Sequence, residues 1–195
     1  MRRIIPQEFL TCPACGIVTH DPALNLADLK VPAPCCGASG ESRGLWLPLP
    51  AVALLNLVEN QDRHKDEGRR IAVVFLAAAV EILFEHVLSH LLELHTTSDA
   101  LIDSALDAFQ GVERRKELFN RLSAKPMGEI LHDKQLDEFS SDWSSLAKLR
   151  NKLAHGHAFV TSTRHDDLIR RVEERACEAF AHLENAVTMQ ARPRA

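Results

Sequence analysis

The sequence predicts an all-α domain preceded by a small cysteine-bearing module. Three observations lead there. After residue 50, apolar residues recur at steps of three and four; no stretch there alternates with the period of two of a half-buried strand; and four of the five cysteines fall within the first 36 residues. At 195 residues with a hydrophobic fraction of 46%, the chain is long and apolar enough for one sizeable core. Its formal net charge of -4 argues against a general nucleic-acid coat, which works by phosphate neutralisation, but leaves room for a local RNA site.

The cysteines come first. Cys12-Pro13-Ala14-Cys15-Gly16 is followed by Cys35-Cys36-Gly37. In a reducing compartment such clustering reads as metal binding before disulfides. The C-P-x-C-G turn forms a zinc knuckle, since its glycine lets backbone amides approach two thiolates, and tetrahedral Zn²⁺ takes four soft ligands. The second half departs from a zinc ribbon, because Ala33 stands where a second C-x-x-C has its first cysteine. Cys36 matches the cysteine before the glycine, and the fourth ligand is Cys35 or His20. All four cysteines, Cys12, Cys15, Cys35 and Cys36, are the preferred set for a structural zinc. A metal-free loop with reduced or vicinally oxidised thiols is the alternative. Leu45-Trp46-Leu47-Pro48-Leu49-Pro50 then reads as an extended connector. It divides the chain into a module at 1–47 and a helical domain at 48–190, with a tail at 191–195.

A first helix opens at Pro50 or Ala51 and runs to about Asn60, with the charged stretch Asp62 to Arg70, including Gly68, as an interruption. A long helix from about Arg69 to Leu94 carries Phe75, Leu76, Ala79, Leu83, Val87 and Leu91 on one side, with a stripe wide enough to need covering on several sides or by a second subunit. Ser98 and Asp99 cap a helix through Phe109; Gly111 ends it; Val112 to Ser123 forms another before Pro126. The next helix is read from Asp133 to His155, and after a turn at Thr161-Ser162-Thr163 the last runs from Arg164 to about Met189, burying Leu168, Val172, Ala176, Ala179, Phe180, Leu183 and Val187. Cys177 falls in this pattern as a small core residue.

The most informative run is Arg150-Asn151-Lys152-Leu153-Ala154-His155-Gly156. Phe139, Trp143, Leu146, Arg150 and Leu153 form one stripe, apolar except for Arg150. A guanidinium there meets a carboxylate or lies at a seam where an anion can enter. Gly156 stops the helix and sets His155 in its last turn, while Asn151 and His155, four apart, share a face. An arginine that keeps its charge beside a histidine that readily exchanges a proton supplies the two elements of phosphodiester cleavage. A capped helix end with Arg150 in a core ion pair accounts for the same residues. Spacing alone is not specific, since another arginine followed at similar range by a histidine, with six residues between them, occurs at Arg175 and His182.

The Arg-Asn-x-x-x-His-Gly run, with the leucine-rich helix before it, resembles the signature of the HEPN superfamily. The order of a long alanine- and leucine-rich helix with an internal Glu, short helices, the motif and a closing helix is similar to HEPN domains over roughly residues 51–190. The resemblance implies an HEPN-like helical bundle, a homodimer with both motifs in one cleft, and a metal-independent endoribonuclease of a toxin–antitoxin or phage-defence kind. The residues that carry over are Arg150, Asn151 and His155, supported by Glu81 on the long helix, with Glu85 as fallback. Glu81 neutralising Arg150 across the core is the alternative. The implied chemistry leaves a 2′,3′-cyclic phosphate and a 5′-hydroxyl; the implied partners are RNA and an antitoxin or defence partner. Where many HEPN toxins have a tyrosine two residues after the histidine, this chain has His157 and no tyrosine at all. A non-catalytic HEPN dimer that binds RNA or a nucleotide, or acts as a sensor, is the other reading.

Two further groups carry less. His86 and His90 are four apart with His95 nearby, but no acidic third ligand accompanies them, so the pair reads as solvated or partly buried. Arg164, Arg170, Arg171 and Arg175 are interleaved with Asp166, Asp167, Glu173 and Glu174, the pattern of a solvated helix face. No phosphate-binding glycine loop or dinucleotide motif occurs. The basic start Met1-Arg2-Arg3 lacks a following apolar segment, and the apolar run Ile71 to Val80 is only ten residues, so the expectation is a cytoplasmic chain without a membrane span.

Overall fold

A three-stranded antiparallel sheet precedes the helices: β1 (Phe9–Thr11), β2 (Val18–His20) and β3 (Gly44–Leu45), in the order β2-β1-β3. Seven helices follow among the described residues: α1 (Leu49–Glu59), α2 (Asp66–Glu93), α3 (Asp99–Ala108), α4 (Val112–Leu122), α5 (Met127–His132), α6 (Phe139–Ala154) and α7 (Thr163–Ala191). The computed structural model describes residues 8–21, 35–37, 44–156 and 163–192. The basic start at 1–3, Ala33, His157 and the Thr161-Ser162 part of the proposed turn lie outside them.

The chain is mostly helical, and α2 is its axis. Asp66 and Glu67 open α2 where acidic groups favour the helix dipole, and Ala72, Leu76, Ala79, Leu83, Val87 and Leu91 are all fully buried, with α1, α6 and α7 packed around them. Phe84 anchors an aromatic cluster, meeting Trp143 edge-on at 4.8 Å between centroids and Phe180 at 5.9 Å, while Phe139 meets Phe180 at 5.5 Å. Burying one such ring contributes about 1.5–3 kcal/mol. The whole of α2, 28 residues, is long and apolar enough by composition to cross a membrane, unlike the uninterrupted apolar run within it; more than half of its apolar window is covered by the bundle.

Gly68 belongs to α2 and does not interrupt the chain before it. The helix begins at Asp66, three residues earlier than the sequence predicts, because the preceding loop folds back over its first turn. A Cβ on Gly68 would lie 2.1 Å from the Asp62 carbonyl oxygen. Arg63 in that loop donates to both carboxylate oxygens of Glu173 at 2.8 and 2.6 Å, and Arg69 donates to the Arg63 carbonyl at 2.6 Å, so the loop cannot simply swing away. Gly68→Ala is therefore expected to destabilise the fold by about 1–3 kcal/mol, although alanine is the better helix former, as measured by urea unfolding.

The helix read as starting at Asp133 is two elements. Its motif-bearing part, α6, begins at Phe139, and the short α5 ends at His132. Between them Gln135 has φ 60°, its N–H donates to the His132 carbonyl at 3.0 Å, and the Leu136 N–H donates to the Leu131 carbonyl at 2.9 Å. This is a Schellman closure with glutamine where glycine is usual, and the buried Leu136 supplies its hydrophobic contact. Ser98 does stand at the N-cap of α3, but its side chain makes no cap bond; its own N–H donates to Thr96 Oγ1 at 3.2 Å.

The sheet is seated on the helices. Phe9, Val18 and Trp46 join the helical core, and the Asn185 side chain on α7 brackets Val18, accepting from its N–H at 2.7 Å and donating to its carbonyl at 2.8 Å. A second latch joins α2 to α7: His90 Nδ1 lies 2.6 Å from Glu184 Oε1, and Glu184 is buried. The hydrogen bond to Glu184 raises the His90 pKa, against the effect of burial, with the charges of Glu184 and Glu93 adding to the rise. A group whose folded pKa is raised stabilises fully below its unfolded value, about 6.5, and loses that contribution as pH climbs through the folded pKa. The urea midpoint is expected to fall as pH rises above the ordinary histidine value of about 6.5, and His90→Gln to flatten that part of the profile.

Candidate functional site

The four N-terminal thiols come together. Cys12 follows β1 directly, and the hairpin that holds it closes through Cys12 N–H to the Ile17 carbonyl (3.0 Å) and Gly16 N–H to the Cys12 carbonyl (2.8 Å). Gly16 and Gly37 both have φ +69°, a left-handed conformation that side chains disfavour, so each cysteine turn ends on the same backbone bend. Cys12 and Cys36 Sγ are 3.6 Å apart, Cys15 and Cys35 3.3 Å, Cys35 and Cys36 4.0 Å, and all four lie within 4.8 Å of one another. None is in a disulfide. Four sulfurs at about 2.3 Å from a central ion stand about 3.8 Å apart, so the spacing and soft donors fit a tetrahedral metal ion.

The thiols divide in acidity as well. Burial raises Cys35, and contacts with Cys15, Cys12 and Cys36 push it up to about 12. At Cys15 burial acts upward too, but the hydrogen bond from the Ile17 backbone and those from the other three thiols outweigh it and bring it to about 7. His20, the alternative ligand, is elsewhere: its Nε2 is 3.0 Å from Glu8 Oε2 and its ring stacks on Phe9 at 4.7 Å. The turn is pinned to α7, where a Cβ on Gly16 would touch Thr188 at 3.1 Å and Arg192 donates to the Cys15 carbonyl at 2.6 Å.

The second site lies between α2, α4 and α6. Arg150 pairs with Glu81, each about one-third exposed, at the edge of a 370 Å³ cavity also lined by Glu85, Gln110, Arg115 and Trp143. Glu85 is held by Arg115 at 2.8 Å. Arg115 was not among the residues singled out in the sequence; in Glu113-Arg114-Arg115-Lys116-Glu117 it looks like part of a solvated charge run, and only the packing of α4 on α2 brings it to Glu85.

His155 is not in this cavity. It forms the C-cap of α6 with φ -91°, its N–H donating to the Asn151 carbonyl at 3.1 Å, and Gly156 at φ +72° ends the helix. It stands five positions after Arg150, roughly 7.5 Å along the axis and about 140° around it. Asn151 and His155 lie on the exposed side, while Arg150 turns toward Glu81. Ala154 and Gly156, the neighbours of His155, line a second groove of 360 Å³ with Arg70, Val74, Phe75 and Leu153.

The remaining candidates are engaged separately. His86 meets the Trp46 ring at 6.3 Å, His90 holds Glu184, and His95 Nε2 lies 3.3 Å from the Leu122 carbonyl. Arg170 pairs with Asp167 and Glu174, Arg171 grips Asp142 through two 2.8 Å bonds, and Arg175 reaches Glu138 at 3.5 Å. Cys177 is a core thiol, pushed up to about 12 by burial. No family model, curated protein or solved structure matches the chain.

Proposed function

We propose that this chain is an HEPN-type, metal-independent endoribonuclease of a toxin–antitoxin or phage-defence system, working in the cytoplasm, with zinc in its four-thiol site. The observation that carries the reading is Arg150 at the mouth of an open cavity, with Asn151 and His155 following it out to the exposed end of the same helix. In the proposed step the RNA 2′-oxygen attacks phosphorus, the bond from phosphorus to the 5′-oxygen breaks, and protons leave the first oxygen and reach the second by way of His155. Arg150 stabilises the charge building on the phosphate, Asn151 orients it, and Glu81 holds Arg150 ready. The angle of about 140° between Arg150 and His155 on one helix favours a composite cleft in a homodimer, each phosphate meeting groups of both copies.

The zinc assignment rests on four thiols at tetrahedral spacing, a donor set that selects soft ions and leaves no open position for catalysis. Zinc there holds the N-terminal turns, which in turn offer a surface for RNA or a protein partner. The test is cleavage of RNA by zinc-loaded protein with no divalent metal added to the reaction, with end-group analysis for 2′,3′-cyclic phosphate and 5′-hydroxyl termini; no cleavage, or other termini, overturns it. The Arg150–Glu81 pair favours a second reading, a non-catalytic module that binds RNA or a nucleotide or acts as a sensor, and RNA binding without cleavage selects it.

A further inference from the structure

The two cysteine turns meet as two cross-turn pairs. Cys15 Sγ lies 3.3 Å from Cys35 Sγ and Cys12 Sγ 3.6 Å from Cys36 Sγ, both shorter than the 4.0 Å between the adjacent Cys35 and Cys36. Covalent geometry favours the same pairs. A disulfide spans Cα atoms about 4.4–6.8 Å apart, whereas neighbours on a trans peptide are held at about 3.8 Å, so Cys35 and Cys36 are poorly placed to bond each other.

The cluster is open to small oxidants. Cys35 and Cys36 are exposed and Cys15 is half-buried, while the fifth thiol, Cys177, is 4% exposed in the helical core. Closing either cross-turn pair to the bonded length moves its sulfurs together by less than about 1.6 Å. The seat of the turns does not resist that movement. Asn185 holds Val18, and Arg192 holds Cys15, through backbone atoms and not through sulfur.

We infer that the four-thiol site is also a modification site for peroxide, in which Cys15 bonds Cys35, Cys12 bonds Cys36 and the chain gives up its metal ion. An exposed Cys35 thiolate attacks one peroxide oxygen; the S–O bond forms, the O–O bond breaks and hydroxide leaves. The Cys15 thiolate then attacks the sulfenic sulfur; the S–S bond forms, the S–O bond breaks and a second hydroxide leaves. A second peroxide oxidises Cys36 and Cys12 in the same way. Each disulfide removes two charged donors, so the doubly oxidised chain has no thiolate left in the site for zinc. A dithiol reductant restores all four. The inference rests on the zinc assignment and is independent of the ribonuclease reading.

Freshly reduced, zinc-loaded full chain is treated with hydrogen peroxide beside a chromophoric zinc chelator, against an untreated control, then alkylated and digested with trypsin without reductant. Cleavage after Arg3, Lys30 and Arg43 puts Cys12 and Cys15 on one peptide and Cys35 and Cys36 on another. Release of about one zinc per chain is expected, with the two peptides joined and their fragments showing Cys15–Cys35 and Cys12–Cys36 bonds. Dithiothreitol should return the four thiols, and Cys177→Ser should behave as the parent.

Peptides that stay separate, each closed on itself, overturn the inference. So does zinc retained after peroxide, release with sulfinic or sulfonic acids in place of disulfides, or a release that needs Cys177. In each of these cases the zinc assignment stands. A chain that carries no zinc before peroxide removes the assignment and the inference together.

Discussion

RNA cleavage by His155→Ala is expected to be slower than that of the parent by about 10² to 10⁴, the usual contribution of a general acid or base. Folding should be nearly untouched, because His155 is an exposed helix cap and its backbone bond to Asn151 does not depend on the side chain. Arg150→Lys probes the other half. Lysine keeps one positive charge beside Glu81 but cannot grip two phosphate oxygens, so most of the activity should go while the ion pair persists. The measurement is single-turnover cleavage of a labelled RNA by parent and variants at matched helical content. Variants that cleave like the parent remove the nuclease reading. An Arg150→Lys chain that unfolds makes Arg150 a packing residue whose purpose is Glu81.

Cys12→Ser is expected to have the largest effect on structure. Cys12 is 1% exposed, between β1 and the turn that carries Cys15, so its loss removes one of the four proposed ligands and leaves a hydroxyl in a buried sulfur site. Structural zinc supplies about 10–16 kcal/mol of apparent folding free energy in small finger peptides, far more than a three-residue strand pair can replace. Zinc content should fall from about one per chain toward zero, and amide exchange over Phe9–His20 should rise, while the helices keep their circular dichroism. His20→Ala, by contrast, should keep its zinc, since His20 is paired with Glu8. Parent protein that is freshly reduced and free of zinc would disprove the assignment.

The long helices were legible in the sequence because their burial is periodic. Residues chosen for the α7 face from spacing alone, such as Val172, Ala176, Phe180 and Leu183, are fully buried. The Schellman end of α5 was hidden by Gln135, which takes a left-handed backbone without the glycine that would announce it. The N-terminal sheet was hidden by brevity, since strands of two or three residues show no alternation and are set by pairing and by Asn185, distant in sequence. The same division holds at the candidate sites. The cysteine turns and the Glu81–Arg150 pairing were open to inspection, as a local motif and as a charge that needed a partner. Arg115 was not, because its significance comes from Glu85, thirty positions earlier on a different helix.

The bracket of Asn185 on Val18 spans 167 positions, and the Arg192 bond to Cys15 spans 177. In vectorial synthesis, at roughly 5–20 residues per second, the cysteine turns leave the ribosome many seconds before the stretch of α7 that receives them. For that interval the thiols have only each other, a metal ion or a chaperone. Docking of the turns on α7 therefore waits for the end of synthesis, and a nascent chain stalled before residue 185 presents them without their seat.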